Sequence, residues 1–170
     1  MIFQHDTRDK RDKHNNVYEG LTAMGHEIVR SKLYVGDITL LNNQSTCIDL
    51  KQNLSEVESN LTSQHERFRR ECIRARDAGI RLVILIEDEE IYGLDEVPNW
   101  ENPRYKRWMR LRHAHQTGKM LHVKIASRPP IKGVNLHKSM MTMSERYGVE
   151  WQFAKHDEIA KRICEILGVS

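Results

Sequence analysis

Leu82-Val83-Ile84-Leu85-Ile86 is an unbroken apolar run that ends at Glu87. Its length suits a strand better than a helix. Side chains alternate along a strand, so this one would be apolar on both faces. Such a segment must be covered on both sides, which places it at the centre of a sheet with helices above and below. An α/β fold is therefore the first expectation.

The remaining periodicities supply the other elements. Residues 2–6 read as a short strand ending on Asp6. Val17, Leu21 and Met24 recur at helical spacing, with Gly25 as the stop. Residues 27–34 alternate as a strand. Residues 38–41 and 46–50 read as a hairpin around a polar loop, Asn42-Asn43-Gln44-Ser45. One long helix is predicted over 58–78, with Leu61, His65, Phe68, Cys72 and Ala75 along one face. Another is predicted over 134–147, followed by a strand at 150–154. A last helix, capped by Asp157, carries Ile159, Ile163, Ile166 and Leu167. The alternation of strands and helices implies one mixed sheet covered on both faces. The whole of 1–170 is expected to be a single domain. Its least regular part, about 93–132, carries a short helix at 104–115.

Composition narrows the function classes. Charged residues make up 30% of the chain and hydrophobic ones 39%, which fits a folded soluble domain and excludes a disordered one. No apolar run approaches a membrane span, and the start of the sequence has no signal-peptide pattern, so a cytoplasmic location is expected. The three cysteines are widely spaced with no Cys-x-x-Cys pair, so neither a disulfide framework nor a zinc knuckle is suggested. A net charge of +3 permits a polyanionic partner without demanding one. The basic residues are concentrated around 67–76 and 104–112. The second stretch also holds Tyr105 and Trp108, so it reads either as a DNA-gripping surface or as a helix that turns its Trp inward. The His113/His115 pair reads as surface histidines.

The chemistry lies in Asp49-Leu50-Lys51. Alternation puts the carboxylate and the ammonium on one face of a strand. Lys51 alone among the lysines has an acidic residue two places earlier. Asp37, in a Gly-Asp turn before the partner strand of the hairpin, would be brought beside Asp49. Two carboxylates on neighbouring strands can hold Mg²⁺ or Mn²⁺, which prefer hard oxygen ligands, and the lysine can orient an attacking water. That combination suits phosphodiester hydrolysis. An acid-x-Lys triplet is common by chance, so these residues alone leave a structural reading open.

Three motifs together resemble the XPF-type nuclease domain, a branch of the PD-(D/E)xK restriction-endonuclease-like superfamily. They are Asp6-Thr7-Arg8-Asp9, then Val35-Gly36-Asp37-Ile38, then Ile48-Asp49-Leu50-Lys51. The family pattern reads Asp-x-Arg-Glu, Gly-Asp, then Glu-Arg-Lys-x-x-x-Asp. The similarity continues through Arg67-Phe68 to Cys72-Ile73, the run before Glu87, Ser139 to Met143, and Val149-Glu150-Trp151. The departures are plain. Asp49 stands for the family Glu, Leu50 for its Arg, and Asp9 for the first motif's Glu. The acid expected four places after Lys51 is Ser55, with Glu56 one position late.

The resemblance implies a restriction-endonuclease-like core and a Mg²⁺- or Mn²⁺-dependent DNA endonuclease acting on flap, fork or junction DNA. It implies a role in DNA repair or recombination, in the compact stand-alone form found in phages and prophages. Asp37, Asp49 and Lys51 would be catalytic, with Asp37, Asp49 and Asp6 as metal ligands. Asp6 could equally be a strand-end cap. Arg8, Arg67, Arg104, Arg107 and Lys138 would contact DNA. Arg67 could instead belong to a solvated face on which arginines pair with Glu66, Glu71 and Asp77. A homodimer and salt-sensitive binding without sequence preference are expected. The alternatives are a non-catalytic DNA-binding or scaffold subunit and a duplex-cutting restriction-like enzyme.

Overall fold

The computed structural model describes residues 1–8, 11–119 and 122–169. Strand β1 (Ile2–His5) leads through a 3₁₀ turn (Arg11–His14) into α1 (Asn15–Ala23) and β2 (Glu27–Arg30). Then come β3 (Ile38–Leu40), β4 (Asn43–Lys51), α2 (Leu54–Leu61), α3 (His65–Asp77) and β5 (Arg81–Glu87). A 3₁₀ segment (Leu94–Asn99) precedes α4 (Pro103–Gln116), α5 (Gly133–Tyr147), β6 (Glu150–Ala154) and α6 (Ile159–Leu167).

The strands form one six-stranded sheet in the order β2-β1-β3-β4-β5-β6. β3 runs antiparallel to both its neighbours, and the other pairs are parallel. The apolar run lies in β5, between β4 and β6, and is fully covered. Leu82, Ile84 and Ile86 join Phe68, Cys72, Leu136, Met140 and Trp151 beneath α2, α3 and α5. Val83 and Leu85 point the other way, into a second core with Val17, Leu21 and Ile163 of α1 and α6. No described helix is long and apolar enough to cross a membrane.

Several elements differ from expectation, each for a local reason. β2 stops at Arg30 because residues 31–36 bend towards the end of β1. There the Asp6 carboxylate accepts the Leu33 N–H at 3.0 Å, and Arg8 donates to the Leu33 carbonyl at 2.8 Å. The hairpin turns earlier than predicted. Asn43 already pairs with Leu40, and the polar residues 43–45 belong to the exposed start of β4.

The single helix of 58–78 is two helices. The Thr62 hydroxyl donates to the Glu58 carbonyl at 2.7 Å and the Ser63 hydroxyl reaches the Ser59 carbonyl at 3.4 Å, so side chains compete with the backbone ladder. Asn53 caps α2 by accepting the Glu56 N–H at 3.1 Å. Asp157 does not cap α6, because Glu158 occupies that position and makes no side-chain cap bond.

In the irregular region, Asn102 starts α4 by accepting the Arg104 N–H and ties it to the Ile131 carbonyl. Trp108 turns inward, its indole N–H donating to Ala126 at 2.8 Å. The three cysteines are free and buried, and burial raises each thiol's pKa, that of Cys72 to about 12.

Candidate active site

The site forms at the end of β4, under α3. The Asp37 N–H donates to the Ile48 carbonyl at 2.8 Å, which locks the entry to β3 against β4. The Asp37 carboxylate in turn accepts the Leu50 N–H at 2.9 Å. Gly36 makes this turn possible. Its φ is +70°, and a Cβ there would stand 3.0 Å from the Ile48 carbonyl oxygen.

Ile48 and Leu50 enter the core under α1 and α6, so alternation turns Asp49 and Lys51 towards α3, as Cys47 already is. The Lys51 ammonium is hydrogen-bonded to Asp49 Oδ1, with both side chains largely buried. Burial alone would lower the lysine's pKa, but the negative charges of Asp49, Asp37 and Glu71 outweigh it and hold the ammonium protonated.

Helix α3 closes the site. Phe68, Cys72 and Ala75 face the sheet, and helical spacing sets Arg67, Glu71 and Arg74 on the adjacent face, along the cleft. Glu71 Oε1 accepts the Gly36 N–H at 3.0 Å. Burial and the charge of Asp49 raise the Glu71 carboxyl, against the opposing pull of that hydrogen bond, Lys51 and Arg74. The cleft measures about 360 Å³ and is lined by Asp6, Arg8, Lys13, Gly36, Asp37, Asp49, Lys51, Arg67, Glu71 and Arg74.

The structure thus gathers Asp6, Arg8, Asp37, Asp49, Lys51 and Arg67 into one cleft. Asp9 lies outside the described residues. Arg104, Arg107 and Lys138 do not line the cleft. Arg104 reaches α2, pairing with Glu58 at 3.2 Å and with the Ser59 hydroxyl at 2.9 Å. Arg107 and Lys138 are exposed on α4 and α5. Tyr105 lies under the Lys132 ammonium, 5.1 Å from the ring centre. His113 and His115 are exposed on α4, where helical geometry points them apart.

Glu71, Arg74 and Lys13 line the cleft although the sequence did not single them out. Glu71 and Arg74 read as a solvated ion-paired face, and only their spacing from Arg67 could have signalled otherwise. Among the described residues, no three His, Cys, Asp or Glu side chains already stand together as a metal-holding group.

Asp6 is tightly engaged. Arg8 binds it through backbone and side chain, and Leu33 adds a further donor. Burial raises the Asp6 carboxyl, but these hydrogen bonds outweigh it and bring its pKa below the usual carboxylate value. A depressed carboxylate stabilises the fold above its unfolded pKa, and that contribution is lost as pH falls through the folded value. Asp6→Asn is therefore expected to cost about 1–3 kcal/mol near neutral pH. The gap from wild type should close in acid. Urea unfolding at both pH values checks this, and a gap independent of pH would contradict it.

No family model matches the sequence, and no curated protein matches it. Solved structures do. XPF from Aeropyrum pernix in complex with DNA superposes with a TM-score of 0.61 at 15% identity, covering 98% of this chain and 63% of that one. A second structure of XPF from Aeropyrum pernix gives a TM-score of 0.59 at 15% identity, with 99% of this chain and 60% of that one covered. This chain therefore spans less than two thirds of the length of those proteins. The likeness is one of architecture, and on it this chain has the α/β fold of these XPF structures, as its three motifs implied.

Proposed function

We propose that this protein is a divalent-metal-dependent DNA endonuclease acting on flap, fork or junction DNA. The observation that carries the reading is the cleft itself. Asp37, Asp49 and the Lys51 ammonium converge there beneath a rim of Arg8, Lys13, Arg67 and Arg74. The fold shared with XPF, one structure of which is a DNA complex, supports DNA as the substrate.

The donor set fits Mg²⁺ or Mn²⁺. Asp49 offers hard oxygens from β4 and Asp37 from the turn that enters β3, and among the described residues no His or Cys lines the cleft. Burial and the charge of Asp49 raise the Glu71 carboxyl, and a cation beside it would favour its ionised form. Asp37 and Asp49 would hold the ion. Asp6 anchors Arg8 at the rim, and any contact from Asp6 to the ion would compete with the bonds from Arg8 and Leu33.

When bound, the ion would activate a water and neutralise charge on the phosphate. Lys51, paired with Asp49, would orient that water or bind a non-bridging phosphate oxygen. Arg8, Arg67 and Arg74 can hold the flanking phosphates and supply positive charge where the transition state gains negative charge.

The test is a panel of end-labelled single strands, duplexes, flaps, forks and four-way junctions incubated with Mg²⁺ or Mn²⁺. Cleavage of branched substrates that a chelator stops is the expected result. No cleavage of any substrate with either metal would refute the reading, and preferential cutting of plain duplex would refute the substrate class.

A further inference from the structure

Glu71 reaches the cleft from α3, whereas Asp49 comes from β4 and Asp37 from the turn that enters β3. Other acids nearby are committed elsewhere. Glu56 pairs with Lys13 at 3.1 Å and accepts the Gln52 N–H at 3.2 Å. Glu58 is buried against Arg104. Asp6 is held by Arg8 and Leu33. Glu71 uses Oε1 on Gly36, the residue before Asp37, and among the described residues Oε2 takes no hydrogen bond.

A partly buried carboxylate set near the buried Asp49 is costly unless positive charge answers it. Lys51 is already bonded to Asp49, and Arg74 lies at the rim. A hydrated divalent cation would answer that cost. Mg²⁺ keeps several of its waters, and carboxylates beyond the direct ligands accept hydrogen bonds from those waters. Among the described residues no three acids form a ready-made coordinating group, and Glu71 approaches from α3 opposite the strand end, so a water-relayed contact fits it better than direct ligation.

We propose that Glu71 is an outer carboxylate of the cation site, acting on the ion held by Asp37 and Asp49 through a bound water and raising the affinity of the site. This rests on the metal-dependent reading above. The competing role is purely structural, in which Glu71 only fastens the Gly36 turn to α3.

Glu71→Gln separates the two roles. The amide oxygen can still accept the Gly36 N–H, so the turn keeps its fastening, but the charge is gone. The experiment is calorimetric titration of Mn²⁺ into the DNA-free wild-type, E71Q, E71D and D49N proteins, after thermal melts without metal. E71Q is expected to melt like wild type and to bind Mn²⁺ about 10–100-fold more weakly. E71D keeps the charge and should bind more tightly than E71Q, and D49N should lose most binding. Wild-type affinity in E71Q, or equal affinities in E71Q and E71D, would overturn the inference. If D49N had meanwhile lost Mn²⁺, the metal reading would stand without Glu71. A wild-type protein that bound no Mn²⁺ would overturn both.

Discussion

Asp49→Asn is expected to reduce cleavage at least about a hundredfold while leaving DNA binding in place. The amide preserves the size of the side chain and its place on β4 but removes the charge that would hold the cation. The arginine rim is untouched, so the nucleic acid loses no positive contact and meets one fewer repulsive group. Lys51→Ala should also stop cleavage, by a different route. Asp37 and Asp49 keep their charges and lose a cationic neighbour, so Mn²⁺ affinity should be retained or increased. Removing Lys51 also leaves Asp49 buried without its ion-pair partner, so the metal-free protein should be less stable. Single-turnover cleavage of a branched substrate, read beside Mn²⁺ calorimetry, distinguishes the two variants. Near-native cutting by Asp49→Asn would show that the reaction happens elsewhere.

Phe68→Ala is expected to give the largest loss of stability, about 3–5 kcal/mol. Phe68 is fully buried on the sheet-facing side of α3, with Trp151 of β6 at a ring-centre distance of 6.2 Å. Truncation removes apolar area and leaves a cavity between helix and sheet. For a domain of this size the melting temperature should fall on the order of 10 °C. The effect should extend to the cleft, because the same helix positions Arg67, Glu71 and Arg74. Mn²⁺ affinity should therefore weaken even though Phe68 touches no ligand. Calorimetric melting and Mn²⁺ titration of this variant measure both effects. A drop below about 1 kcal/mol would mean that α3 is held chiefly by other contacts.

The strand pattern was legible where burial is one- or two-sided throughout. Leu82 to Ile86 had to be central, and Asp49 and Lys51 had to share a face, because both conclusions need only the period of a strand. The Gly-Asp turn brought Asp37 beside them for the same reason. Glu71 was illegible for a matching physical cause. Helical periodicity shows which residues share a face but not what covers that face. Glu71 and Arg74 therefore read as part of a solvated row, whereas the Gly36 turn packs against Glu71 and the cleft takes in both. The break between α2 and α3 was hidden because Thr62 and Ser63 are tolerated within a helix until their hydroxyls take the carbonyls of the preceding turn. Asn43 to Ser45 looked like loop residues by composition, yet an exposed strand start accepts polar side chains without penalty. Asp157 has the right chemistry for a cap but sits one residue too early.

The buried thiols give the protein a quiet background for chemical labelling. Cys47, Cys72 and Cys164 lie inside the two cores, and their raised pKa values keep the reactive thiolate form scarce. A maleimide or a disulfide reagent should therefore pass over the native molecule and modify it only when the cores open. Reaction kinetics with such a reagent would report the opening of each core without an engineered probe. A single cysteine introduced on the exposed face of α4 would then be the sole fast-reacting position, ready to carry a fluorophore for following nucleic acid as it arrives.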